Sequence, residues 1–129
     1  MNQWIARTAA RLADADSSVA LAGAWTLFDE TAAWAIGPAA DQGDALAATG
    51  AYNLAVEARE LLAQPEHDDQ ADDLDLTDAP AIAGLLDQAE QRLNTIADAT
   101  AAVDAHGPAR ASLLAGRAAR SVRTAGGVR

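Results

Sequence analysis

The side chains able to do acid–base or ligand chemistry in this chain are two histidines, His67 and His106, nineteen Asp and Glu residues, and nine arginines. Cysteine and lysine are absent, which removes disulfides, thiolate metal sites, cysteine nucleophiles, phosphate-loop lysines and Schiff bases. A carboxylate-bridged di-metal bundle needs Glu-x-x-His on two helices. Neither histidine qualifies: Gln64 stands three residues before His67, and Val103 three before His106. His106, next to Gly107 at an expected helix end, is read as a favourable charge at the helix dipole. The run Glu66–Asp78, EHDDQADDLDLTD, lacks the glycine and terminal glutamate of a calcium loop, and is read as a solvated acidic loop.

Nucleophile elbows, glycine-rich phosphate loops and paired helix-borne histidines are also missing. The helical-ribonuclease arrangement of an arginine and a histidine on one helix fails because Pro65 stands between Arg59 and His67. No specific catalytic signal remains, and no metal or cofactor is expected.

Charge is distributed unevenly. Residues 1–105 hold all nineteen acids against four arginines, a net of −15; residues 106–129 hold five arginines and no acid. The segment from about Pro108 to Thr124 reads as a basic amphipathic helix, with Ala111, Leu114, Ala115, Ala118 and Val122 on one side and Arg110, Arg117, Arg120 and Arg123 on the other. Four readings compete for it. Its arginines stay solvated or meet the acidic loop while the apolar stripe docks inward; they bind an acidic protein; they bind nucleic acid; or the helix lies on a membrane. Nucleic acid is disfavoured by the overall charge of −10, and membrane insertion by the scarcity of large apolar groups on the helix.

The elements that must position these groups follow from breakers and periodicity. Pro38, Pro65, Pro80 and Pro108 each follow a helix-stopping context, and helical patterns lie between them. Pro80 to about Ala105 carries Ile82, Leu86, Ala89, Leu93, Ile96, Thr100 and Val103 at alternating steps of four and three. A second helix runs from Pro38 or Asp44 to Gln64, with Ala47, Ala51, Leu54, Ala58 and Leu61 inward. A third covers Ser18–Ile36. A short one covers Asn2–Ala13, with Ile5, Ala9 and Leu12 inward, and Asp14–Ser18 either caps its successor or merges with it. No strand alternation and no internal repeat are found.

At 129 residues the chain fits one domain, residues 1–129, with the loop at 66–78 and a flexible tail at 125–129. Alanine contributes 36 residues, so the core is thin and favours closely approaching helices. The expected fold is all-α: an antiparallel bundle of four main helices with a short N-terminal helix. No apolar run reaches the roughly 20 residues that span a bilayer, and the start lacks a secretory signal. A cytoplasmic protein is expected.

The third helix holds a choice. Leu21, Trp25, Phe28, Ala32 and Ile36 share its core face, whereas Leu27 and Trp34 point the other way. Either this helix is central and covered on both sides, or the Leu27/Trp34 edge meets another chain. The functional expectation is a non-catalytic acidic protein working through protein contacts: an accessory subunit, an antitoxin- or immunity-like partner, or a self-associating adaptor. Leu27, Trp34, Arg110, Arg117, Arg120 and Arg123 are its candidate partner-binding residues. The alternative is a ligand-binding or enzymatic bundle with a site near Trp25, Phe28 and Tyr52, using Glu57 or Glu60.

Overall fold

The computed structural model describes residues 3–67, 69–71 and 73–127. Among the described residues six α-helices occur in chain order: α1 (Gln3–Ala13), α2 (Ser17–Ile36), the short α3 (Pro38–Gln42), α4 (Ala45–Glu60), α5 (Ala79–Ala99) and α6 (His106–Ala125). No strand occurs among the described residues. Aspartates open two of the long helices. Asp16 accepts from the Ser18 amide at 2.9 Å, and Asp44 accepts from the Leu46 and Ala47 amides at 3.1 Å each. Such caps satisfy amides that have no partner within the helix. Within the Asp14–Ser18 stretch, Asp14, Ala15 and Asp16 therefore separate α1 from α2, with Asp16 capping α2.

The helices pack in a ring: α2 on α4, α4 on α6, α6 on α5, and α1 between α5 and α2, with α2 also touching α5. Small side chains make the close approaches. Ala48, Ala51, Ala55 and Ala58 bury one side of α4, and Ala111, Ala115, Ala118 and Ala119 that of α6. The start of α4 is clipped to the end of α6, where the Asp44 amide donates to the Ala125 carbonyl at 3.1 Å. A Cβ on Gly43 would lie 2.0 Å from that same carbonyl oxygen, so only glycine fits the approach.

α2 is apolar around most of its circumference, which suits a helix covered on several sides. Trp25, Leu27, Phe28 and Trp34 are all buried. The edge expected to be available to a partner at Leu27 and Trp34 is thus corrected: these residues are 0% and 2% exposed within the chain itself. Trp34 is closed over by the connection between α4 and α5.

That connection, described at residues 61–67, 69–71 and 73–78, leaves Glu66, Asp73 and Asp75 exposed to solvent and at the same time straps the core. Trp4 Nε1 donates to the Asp69 carbonyl at 2.7 Å, and Trp34 Nε1 donates to the Asp75 carbonyl at 2.8 Å. Arg7 grips the Asp69 carboxylate with two nitrogens, at 3.0 and 3.1 Å, and Arg11 approaches it at 3.6 Å. Ala71, Leu74 and Leu76 pack against the core. The strap ends in a single 3-10 turn, Leu76–Asp78, where the Asp75 side chain accepts from Thr77 and the Asp78 side chain accepts from the Asp75 amide. Asp68 and Asp72 lie outside the described residues.

Several inward assignments shift. α1 buries Trp4, Thr8 and Leu12, one residue round from the expected Ile5 and Ala9, because Trp4 has the strap to pack under. Ile36 is 63% exposed at the end of α2, where Gly37 turns the chain. α5 stops at Ala99, and Thr100 adopts an extended conformation, so Val103 falls in a loop and is 86% exposed. α4 ends at Glu60 rather than Gln64, and the Pro38 segment is a separate short helix. Of the residues expected to form a tail, Ala125 is buried in α6, and the Gly126 amide donates to the Val122 carbonyl at 2.9 Å. Residues 128 and 129, like Asn2, lie outside the described residues.

Candidate functional site

α6 carries the feature most unlike the rest of the chain. Its inner stripe is as the periodicity requires, with Ala111, Leu114, Ala115, Ala118 and Val122 all buried. The opposite face holds Leu113, Arg117, Arg120 and Thr124, all exposed and spaced by four, three and four residues.

The four arginines divide into two pairs. Arg110 reaches α4 and contacts Glu57 at 3.3 Å, while Arg123 reaches α5 and hydrogen-bonds Asp87. Hydrogen bonding to Asp87 holds the Arg123 guanidinium more firmly protonated than an ordinary arginine. Both contacts are substantially exposed, so each contributes little to stability, roughly 0–1 kcal/mol. Arg117 and Arg120 have no ion pair with any described residue. None of the four has an ion pair to a described residue of the acidic strap, whose described ion pairs go instead to Arg7 and Arg11 of α1. The Arg7 hydrogen bonds lower the Asp69 pKa below the ordinary carboxylate range, against the opposing effect of burial.

Elsewhere the ionisable groups serve the framework. Arg59 of α4 meets Asp29 of α2 at 2.8 Å and Glu60 at 3.2 Å. Burial works against its charge, but the hydrogen bonds that Arg59 donates to Asp29 and Glu60 outweigh it and raise the pKa. His106 is the first residue of α6, not the last of the preceding helix, so the expected role as a favourable charge at a helix C-terminus is corrected. No group of three or more His, Asp or Glu able to hold a metal occurs among the described residues.

The residues of the ligand-site alternative are divided between the core and the surface. Trp25 and Phe28 lie in the packed interior at 8% and 0% exposure, Tyr52 is half-buried, and Glu57 and Glu60 face arginines at the surface. Clefts occur in other places. One of about 450 Å³ separates α5 from α6 and is lined by Glu90, Gln91, Asn94, Ala109, Ser112 and Leu113. Another, of about 670 Å³, lies between the start of α2 and the strap, with Arg11, Pro65 and His67 on its walls.

Comparison with protein-family models, with curated proteins and with solved structures finds no match. No helix among the described residues is long and apolar enough to cross a membrane.

The α5–α6 cleft was not foreseen from sequence. Its signal is Gly116 in the middle of an otherwise good helix. A Cβ there would lie 2.2 Å from an oxygen of the Glu90 carboxylate, which rests against the α6 backbone. Ser112 secures the same junction by donating its hydroxyl to the Glu90 carbonyl at 2.7 Å.

Proposed function

We propose that this chain is a non-catalytic helical protein that acts through protein contacts, receiving an acidic partner on the outer face of α6. One observation carries the reading. Arg117 and Arg120 are exposed beside the 46%-exposed Leu113 and have no carboxylate of their own among the described residues, whereas Arg110 and Arg123 do. Two free guanidiniums flanking an apolar side chain match an acidic surface, and in a chain of net charge −10 they are a local inversion of sign. An accessory subunit, an antitoxin- or immunity-like partner, and a self-associating adaptor all fit this chemistry. The last would use another copy's acidic surface. Leu27 and Trp34 take no part in the surface, and the reading takes the four long helices as an antiparallel scaffold that holds α6 rigid.

The test compares the native protein with Arg117→Glu/Arg120→Glu. The double variant keeps the helical circular dichroism signal and loses a partner that the native protein retains at low salt and releases as salt rises. For self-association, sedimentation velocity shows a larger species for the native protein and a monomer for the variant. Identical retained proteins and identical sedimentation for both forms would remove α6 from the function.

A further inference from the structure

We propose that the α5–α6 cleft is a binding site for an alkylguanidinium or alkylammonium group, with the Glu90 carboxylate as its counter-ion. Three carboxylates flank α6 from its neighbours: Glu57 on α4, and Asp87 and Glu90 on α5. The first two are answered by Arg110 and Arg123. Glu90 is not: its carboxylate has no hydrogen bond or ion pair to any described residue. It is half-buried, laid over Gly116, and opens into a cleft of about 450 Å³. That volume falls in the range of roughly 300–1,000 Å³ typical of small-molecule pockets.

The lining matches a cation with a short apolar arm. Gln91 and Asn94 supply carboxamide oxygens that can accept from nitrogen, and no basic side chain lines the cleft. Ala109 and Leu113 provide an apolar wall. The Ser112 hydroxyl is engaged with the Glu90 backbone, so it holds the wall in place rather than competing for the ligand. A planar guanidinium can take both Glu90 oxygens at once, which favours arginine-like groups over simple ammonium. The proposal is independent of any acidic partner on Arg117 and Arg120.

Gly116 provides the discriminating variant. The Cβ of Gly116→Ala would displace the Glu90 carboxylate, the free end of a flexible side chain, while alanine has the better helix propensity. This substitution should therefore disable the site without weakening the fold. The measurement is an amide-resolved NMR titration with butylguanidinium, and in parallel with a short peptide carrying one arginine between glutamates.

The expected result is saturable shifts centred on Glu90, Gln91, Asn94 and Ser112. Affinity should fall at least about tenfold in Glu90→Gln and in Gly116→Ala, with the melting temperature of the latter unchanged or higher. Tighter binding of the peptide, reversed by Arg117→Gln/Arg120→Gln, identifies the source as a partner's side chain. Equal binding of the two probes identifies a free cation. Shifts spread over the acidic surface, or an affinity unaltered in both cleft variants, would overturn the site.

Discussion

The indole nitrogen of Trp34 donates to the main-chain carbonyl of Asp75 at 2.8 Å, joining positions 41 residues apart. The bond satisfies both the donor of a 2%-exposed tryptophan and a carbonyl that no regular helix serves. Trp34→Phe retains most of the apolar area but strands the carbonyl and leaves a gap. It should cost about 1–3 kcal/mol in urea unfolding and speed proteolysis within residues 66–75. A neutral result would assign the hold on the strap to Leu74 and Leu76 alone.

Acid should loosen the strap. The Asp69 pKa is lowered chiefly by the Arg7 hydrogen bonds, and that of Asp75 by the hydrogen bonds from Thr77. A carboxylate with a lowered folded-state pKa contributes its stabilisation fully above the unfolded value, near about 3.9, and loses it as pH falls through the folded value. Tryptophan fluorescence followed downward from pH 5 should therefore report a transition beginning below about pH 4. Asp69→Asn should already be weakened at neutral pH and show a shallower dependence.

Two glycines in helices should respond in opposite directions to the same substitution. Nothing lies within 4 Å of a Cβ placed on Gly84, so Gly84→Ala should stabilise by about 1 kcal/mol. At Gly23 the new Cβ would sit 2.9 Å from the Arg11 Cβ, where α1 crosses α2. Gly23→Ala should destabilise by about 1–3 kcal/mol despite the better propensity. Paired thermal melts decide both.

On α6, Leu114→Ala should cost about 2–5 kcal/mol because the side chain is only 1% exposed. Arg117→Gln/Arg120→Gln should change stability by no more than about 0.5 kcal/mol. The reverse ordering in chemical denaturation would mean that the helix faces the other way.

Which parts were legible from sequence depends on whether the governing contact is local. The α6 stripe and the run Ile82, Leu86, Ala89, Leu93, Ile96 emerge as read, since a 3.6-residue period is set by the helix alone. Val103 continues that period on paper, but Thr100 leaves the helical conformation and Val103 no longer belongs to it. The orientation of Trp34 opposite Trp25 is correct, yet the cover is not another chain. It is an acidic segment whose composition suggests water and whose Ala71, Leu74 and Leu76 turn inward. Glu90 and Gly116, 26 positions apart in the sequence, give no periodic sign of their contact.

The cover over α2 also has a consequence for how the protein is made. α2 is complete at Ile36, but Asp75, the acceptor for its Trp34, is translated 39 residues later. At about 5–20 residues per second, that is an interval of roughly 2–8 s in which one of the most apolar segments of the nascent chain lacks its lid. Trp4 likewise waits for Asp69, so α1 cannot assume its final bonding first even though it emerges first. Slowing synthesis between codons 37 and 75 should lengthen that exposure and lower the soluble yield, whereas slowing it after codon 80 should leave this exposure unchanged.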